Sequence, residues 1–129
     1  MKTMQETFNK IVEHAASMTS ESRSEDTRDC MYRVYDETGQ VCNMCFVGAL
    51  IDKEHYSGEL EGNTADADEV VAAVRASGYF ADNDLFLLNC QEVHDQREIT
   101  DWKKGLYEVA HMYDLKMPEV EWPLLVGGA

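Results

Sequence analysis

Basic side chains are scarce in this sequence: 11 lysines and arginines stand against 25 aspartates and glutamates, so the formal net charge is −14. Lysine and arginine are the residues that neutralise phosphate backbones, and their scarcity excludes direct nucleic-acid binding through a basic patch. Anionic membrane surfaces are disfavoured for the same reason. The charge fits a partner protein with a basic surface, or a protein that imitates a polyanion such as a nucleic acid.

Long apolar runs are also lacking. No segment approaches the roughly 20 apolar residues of a membrane span, and the start, MKTMQETFNK, has no apolar core typical of a signal peptide. We therefore expect a cytoplasmic protein without membrane contact. Cysteines in that compartment are reduced thiols or metal ligands rather than a disulfide framework. The four cysteines are Cys30, Cys42, Cys45 and Cys90.

Proline is rare, with two residues in 129, whereas 44% of the residues are hydrophobic. This length and composition predict one compact domain over residues 1–129, rich in helix. Apolar residues at helical spacing predict four helices, the third of which buries Leu85, Phe86, Leu88 and Val93. The predicted ranges begin near residues 4, 64, 83 and 100; the first three end near 18, 77 and 96, and Pro118 prevents extension of the fourth. The predicted N-caps are Thr3, Asn63 or Thr64, Asp82 or Asn83, and Thr100.

Two β-rich runs, residues 31–35 and 40–44, flank a four-residue turn that contains Gly39, and this pattern predicts a hairpin. The fold class expected is therefore α+β, mainly helical. The apolar run CFVGALI after it favours a short buried helix capped by Asn43. The polar stretch at about 19–29 predicts a mobile loop that carries no site, and residues 116–129 predict an irregular tail. Apolar residues of that tail, such as Trp122 and Leu125, leave room for a homodimer.

The negative charge is concentrated in residues 52–95, where eleven acidic and two basic side chains account for nine of the fourteen net charges. Asp66, Asp68 and Glu69 have a local role, since they lie where the second helix is predicted to begin and its dipole favours anions. Other acids of this stretch remain available for recognition of a basic partner. The predicted partner-binding residues are Glu54, Glu59, Glu61, Asp82, Asp84 and Glu92.

Two cysteine and histidine spacings could carry chemistry. Cys42-x2-Cys45 and Cys90-x3-His94 together offer four tetrahedral ligands for zinc. Cys45 at a helix start with His94 as its base could instead act as a nucleophile. Asp95 adjoins His94 but on a helix should point about 100° away, so we expect it not to orient the ring. The plainer interpretation is that these thiols are buried packing residues.

The His94-Asp95 doublet also occurs in metal-dependent HD phosphohydrolases. Such an enzyme needs further histidine and aspartate ligands, for which His55 and Asp114 are the candidates. The alternative function is thus a small metal-dependent or thiol hydrolase centred on Cys45, His94 and Asp95. The simpler interpretation is a locally hydrogen-bonded histidine beside a solvated carboxylate.

The order of five segments resembles a group of small, mostly uncharacterised proteins of tailed phages and prophages. The segments are FNKIVEHA, CMYRVYDETGQVC, CFVGALIDKEHYSGELEG, LNCQEVHD and DWKKGLYEVAHMYDL, and they extend over about residues 5–115. The recurrent elements of that group are C-x-Y-R, C-x-x-G-x-L-I and Q-x-x-H-D. The corresponding residues here are His14, Cys30, Tyr32, Arg33, Cys45, Gly48, Leu50, Tyr56, Glu61, Gly62, Gln91, His94, Asp95 and Trp102.

The resemblance implies a phage origin and the host cytoplasm as location, and it implies no established activity. Cys42 and Cys90 lie outside the recurrent positions, so a zinc site common to the group would use Cys30, Cys45 and His94, with His14 as a fourth ligand. The leading functional hypothesis is a non-enzymatic accessory protein that binds a host or phage protein. It could act as an anti-defence or host-takeover inhibitor through charge mimicry of a nucleic acid.

Overall fold

A computed structural model describes residues 1–24 and 29–123. Within these residues the fold is α+β and mainly helical, as predicted, with four α-helices and one two-stranded antiparallel hairpin. None of the described helices is long and apolar enough to cross a membrane. The elements in chain order are α1 (Met4–Ser17), β1 (Arg33–Tyr35), β2 (Val41–Met44), α2 (Asp68–Ala76), α3 (Asp84–Gln96) and α4 (Trp102–Met112).

Helix α1 begins with a capping box. The Thr3 hydroxyl accepts the Glu6 backbone N–H, and the Glu6 carboxylate accepts the Thr3 backbone N–H in return. Its apolar face, which includes Phe8, Ile11 and Val12, is fully buried. The first predicted helix is therefore confirmed, and its apolar face forms part of the core.

The hairpin pairs Arg33 with Met44 and Val34 with Asn43, and a β-bulge follows Val34. Its turn is held by Asp36, whose carboxylate accepts the backbone N–H groups of Thr38 and Gln40 and the Thr38 hydroxyl. Gly39 takes the positive φ of 83° that the turn requires. The hairpin prediction is confirmed, with strands a few residues shorter than expected.

The run after the hairpin is not the helix that was expected. Only Gly48–Leu50 is helical, as one 3₁₀ turn, and the Asn43 side chain donates to the carbonyls of Ser20 and Glu21 instead of capping it. The backbone is pressed against the start of β1, since a Cβ on Gly48 would lie 2.1 Å from the Tyr32 carbonyl oxygen. Close packing of the chain on itself therefore shapes this run more than local propensity does.

Three further helix predictions need correction, two in where the helix begins and one in which residues it buries. Helix α2 begins at Asp68, because the Thr64 hydroxyl bonds the Asp66 carboxylate and caps no helix. Helix α3 has the predicted Asn83 cap, but Leu85 is 57% exposed and Leu87 is buried in its place. Helix α4 begins two residues after Thr100, following a 3₁₀ turn over Ile99–Asp101.

The core lies between α1, the 45–51 run, α3 and α4. Its largest fully buried side chains are Trp102, Phe8, Phe46 and Phe86. Trp122 of the C-terminal segment packs against this core, whereas Leu124, Leu125 and Val126 lie outside the described residues. The predicted role of that tail in a homodimer therefore stays a prediction.

Candidate functional site

The last turns of α3 meet the segment before the hairpin. The Cys30 sulfur, a ring nitrogen of His94 and a carboxylate oxygen of Asp95 all lie within 4.8 Å of one another. Beside them is an open cavity of about 610 Å³, whose lining includes Cys30, Tyr32, Cys45, Gln91 and Asp95. Several residues of the C-x-Y-R, C-x-x-G-x-L-I and Q-x-x-H-D elements thus meet at one place.

His94 is fully buried, and both of its ring nitrogens are occupied. Nε2 accepts the Ser22 backbone N–H at 2.9 Å, and Nδ1 lies 2.7 Å from Asp95 Oδ1. Because a backbone amide can only donate, Nε2 carries the lone pair and the proton is on Nδ1, which donates to Asp95. No lone pair of this ring is left to accept a proton from a substrate.

Two aromatic rings fix the orientation of the His94 ring. Trp102 stacks on it at a centroid distance of 5.2 Å and an interplanar angle of 29°, and Phe46 meets it edge-on at 5.4 Å. The Trp102 indole N–H in turn donates to the Arg97 carbonyl. The histidine is therefore a packed core residue that holds two chain segments together.

Asp95 does orient the His94 ring, and the prediction that it would not is wrong. The 100° separation applies only to the Cα–Cβ directions, and rotation of the two side chains brings ring and carboxylate together. Gln91, one turn earlier, donates from Nε2 to the same Asp95 Oδ1 at 2.8 Å. Partial burial raises the pKa of Asp95, but the hydrogen bonds from His94, Cys30 and Gln91 outweigh it and leave that pKa below its usual value.

The thiols in and around this cluster stay protonated. Burial and the neighbouring Asp95 carboxylate raise the pKa of Cys30 to about 12, although Arg23 Nη1 donates to its sulfur at 3.0 Å. Burial likewise raises the pKa values of Cys45 and Cys90, which are both fully buried. None of these three thiols is the activated nucleophile that the hydrolase alternative needs.

The zinc ligand sets do not come together either. Among the described residues, Cys30, His94 and Asp95 are the ones within range of a single ion; Cys42 is exposed on β2 and Cys90 is outside the cluster. His14 donates from Nε2 to the Met44 carbonyl at 2.7 Å and takes no part. A metal at His94 Nδ1 would displace the proton to Nε2, which already faces the Ser22 N–H, so this donor set does not fit zinc.

The further ligands proposed for a phosphohydrolase lie elsewhere. His55 is exposed in a 3₁₀ turn, and Asp114 is exposed just after α4, in the left-handed region at φ 55°. Neither belongs to the group that surrounds His94. The residues named for that chemistry are therefore dispersed.

Sequence reasoning assigned no site role to three members of the network: Ser22, Arg23 and Gln91, the last of which was named only as part of the phage-group resemblance. Gln91 could have been found, because the spacing Q-x-x-H-D places it on the same helix face as His94 and Asp95. Its Oε1 also accepts the Val47 backbone N–H at 2.9 Å and so ties α3 to the 45–51 run. Ser22 and Arg23 lie in the polar stretch where no site was expected, and nothing in its composition indicates that Ser22 is buried.

Glu61 has an internal role rather than the predicted partner-facing one. One carboxylate oxygen accepts the Tyr32 backbone N–H at 2.9 Å, and the other accepts the Arg33 N–H and the Tyr56 hydroxyl. The carboxylate thereby fixes the entry of the chain into β1. A carboxylate that accepts three hydrogen bonds of this kind stabilises the local fold.

The other predicted partner-binding acids differ in their surroundings. Asp82 pairs with Arg75 at 3.3 Å, and Glu92 accepts the Gln96 amide. Glu54, Glu59 and Asp84 are exposed, and within the described residues their carboxylates have no hydrogen bond or ion pair. These last three are the acids of the set that are available to a partner.

Asp29, Glu61 and Asp95 are acidic residues that line the cavity beside the cluster, and the Glu61 carboxylate is already engaged by donors from Tyr32, Arg33 and Tyr56. The Asp95 side chain is 31% exposed, and its Oδ1 is held by two donors. Such a carboxylate can receive a cation but has no neighbouring base or reactive thiol to work with. Comparisons of this chain with protein-family models, with curated proteins and with solved structures find no match.

Proposed function

We propose that this chain is a non-enzymatic accessory protein that binds a basic surface of a host or phage protein. The observation that carries the proposal is the exposed, unpartnered state of Glu54, Glu59 and Asp84 in a chain of net charge −14. Exposed carboxylates without internal partners keep their full charge for an incoming cation. They would raise the association rate and favour partners of opposite sign.

The type of partner follows from the sign and density of the charge. A protein that normally holds nucleic acid presents lysine and arginine at phosphate spacing, and an acidic surface competes for those side chains. Inhibition by charge mimicry, in an anti-defence or host-takeover role, is the form of action that this chemistry supports. Binding of this kind weakens as salt rises, because exposed charges are screened over about 8 Å at physiological ionic strength.

The hydrolase alternative has one observation in its favour, the proximity of Cys30, His94 and Asp95. The occupied His94 nitrogens and the raised thiol pKa values weaken it, since the described residues of this cluster supply neither an activated nucleophile nor a histidine nitrogen free to act as a base. Thiol labelling separates the two functions. We expect Cys42, exposed on the hairpin, to react first, and Cys45 and Cys90 to react only on unfolding; rapid labelling of Cys45 in the folded protein would favour the hydrolase.

The binding proposal is tested with matched charge variants. The test variant carries Glu54→Gln, Glu59→Gln and Asp84→Asn. The control carries Glu13→Gln, Glu119→Gln and Glu121→Gln, which are exposed acids outside the predicted set and give the same change in net charge. Each protein is used to capture proteins from a bacterial host lysate, and a captured nucleic-acid-binding protein is then assayed for release of a labelled DNA duplex.

We expect the native protein and the control to capture a basic protein and to displace its DNA, and the test variant to do so at least about tenfold less well, which is about 1.4 kcal/mol in binding. Equal loss in both variants would reduce the effect to net charge alone and contradict a defined binding surface. Capture of no basic protein by the native chain would contradict the proposal as a whole.

A further inference from the structure

Arg33, the first residue of β1, is a buried cation without a counter-ion. The residue is 7% exposed, and within the described residues its guanidinium makes one hydrogen bond, from Nη2 to the Ile51 carbonyl at 2.8 Å. Nε is buried and has no partner. Arg33 is absent from all ion pairs of the described chain. Burial of a charge without a paired anion is costly, so this arrangement calls for a compensating group.

The neighbours of Arg33 do not supply that group. The guanidinium carbon lies 4.9 Å from the centre of the Tyr56 ring, which is a cation–π contact. Glu61 directs its oxygens to the backbone N–H of Arg33, the backbone N–H of Tyr32 and the Tyr56 hydroxyl. The protein therefore binds the main chain of Arg33 with a carboxylate but leaves the guanidinium without one.

Arg33 lines a second cavity, which lies along the hairpin and has a volume of about 720 Å³. That volume is within the range of small-molecule sites. Tyr35 and Tyr56 also line it, with ring centres 6.3 Å apart, and Tyr35 is 47% exposed. The cavity thus combines one buried cation with two aromatic side chains.

We propose that this hairpin cavity binds the carboxylate group of a small aromatic acid, with Arg33 as its counter-charge. The planar guanidinium matches a carboxylate, and the tyrosine rings offer surface to an aromatic group. The lining of this cavity does not include Glu54, Glu59 or Asp84, and the proposal does not depend on the proposed function.

A carboxylate fits this cavity better than a phosphate does. Asp36 and Glu37 are also among its lining residues. The turn hydrogen bonds of Thr38 and Gln40 hold the pKa of Asp36 below its usual value and keep it ionised. Repulsion from these two anions and attraction to Arg33 both grow in proportion to the charge of the ligand, and because the lining anions outnumber the cation, a singly charged ligand is disfavoured less than a doubly charged one.

The test uses benzoate and its neutral isostere benzamide, each titrated into the full chain and followed by amide chemical shifts. We expect saturable shifts at the hairpin with benzoate and at least about tenfold weaker binding of benzamide. Equal affinity for the two probes, or the absence of saturable shifts with benzoate, would overturn the proposal. Inorganic phosphate binding at the same residues as tightly as benzoate would overturn the choice of a carboxylate.

Variants connect the binding to the residues. Arg33→Gln should abolish the difference between benzoate and benzamide, whereas Arg75→Gln, a half-exposed arginine outside the cavity, should keep it. Tyr35→Ser changes an exposed side chain and should weaken benzoate binding several-fold without unfolding the chain. If Arg33→Gln fails to fold, the comparison of benzoate with benzamide on the native chain and on Tyr35→Ser decides the matter. Undiminished benzoate binding by either variant would contradict the proposal.

Discussion

The end of α3 and the hairpin cavity both contain buried polar side chains, but they differ in how completely those groups are paired. At the end of α3, His94, Gln91 and Asp95 share a closed set of hydrogen bonds that also takes in Ser22 and Val47. At the hairpin, the Arg33 guanidinium has one hydrogen bond and a buried nitrogen without any. A complete network stabilises a fold, whereas a buried polar group left without a partner is costly and calls for an explanation.

The comparison corrects an impression from the sequence. Cysteine, histidine and aspartate in proximity are typical of catalytic sites, but at the end of α3 the His94 ring nitrogens and Asp95 Oδ1 are engaged in hydrogen bonds within the fold. Arg33, which no catalytic motif singles out, is the residue whose charge the protein does not satisfy. Substitutions in the two regions should therefore affect stability very differently.

The largest effect is expected for His94→Ala. The change leaves the Ser22 N–H unpaired, removes a donor from Asp95 and opens a void beside Trp102, and we expect a loss of about 3–5 kcal/mol in the free energy of unfolding. Urea denaturation measures it, with His55→Ala at an exposed position as the control, expected within about 0.5 kcal/mol of the native protein. A loss below about 1 kcal/mol would mean that His94 is not a structural hub.

The next effect is expected for Gly48→Ala. The added Cβ would lie 2.1 Å from the Tyr32 carbonyl oxygen, which is backbone and cannot rotate away. Overpacking of this kind costs about 1–3 kcal/mol, and thermal unfolding should show it as a lower midpoint. Gly58→Ala is the matched control, since a Cβ there has no atom within 4 Å. Equal midpoints for the two variants would contradict the close contact between the 45–51 run and β1.

A smaller, pH-dependent effect is expected for Asp95→Asn. The pKa of Asp95 is lowered in the folded state, so its stabilisation is present above the unfolded value near about pH 4 and is lost as the pH falls through the folded value. The difference in unfolding free energy between native and variant should thus be largest near neutral pH and shrink in acid. Chemical denaturation at a series of pH values measures it, and a difference that grows in acid would contradict the assigned role.

The smallest effect is expected for Arg33→Met. Methionine keeps much of the buried chain but removes the uncompensated charge, so we expect a change in stability within about 1 kcal/mol in either direction. The same urea assay compares it with His94→Ala. A loss as large as that of His94→Ala would show that the Arg33 charge is satisfied in the fold and would remove the contrast between the two regions.

Much of the fold could be predicted from the sequence, because helices and hairpins are local. Apolar spacing located all four described helices, and the turn residues from Asp36 to Gly39 located the hairpin. The prediction of a helix in the 45–51 run was wrong because the shape of this run depends on its contact with Tyr32. Tyr32 lies outside the run, so the local sequence pattern does not show this contact. The predicted burial of Leu85 was wrong because a small error in the rotational phase of a helix is enough to exchange a buried residue for an exposed one.

The candidate site was less predictable. His94, Asp95, Cys30 and Cys45 were named in advance, but their chemistry depends on partners from remote segments, such as the Ser22 N–H and the Arg23 guanidinium. The burial of Arg33 and the inward role of Glu61 also arise only when β1 meets residues 51–61. The spacing of residues within one chain segment carries no information on these tertiary contacts.

The tautomer of His94 is the most direct test of the contrast between a complete and an incomplete polar cluster. Long-range ¹H–¹⁵N correlation of the histidine rings, with His94→Gln used to assign the signals, shows which nitrogen holds the proton. We expect the proton on Nδ1 and the lone pair on Nε2, as the Ser22 and Asp95 hydrogen bonds require. A proton on Nε2 would contradict the closed network and would return His94 to the candidates for a catalytic base.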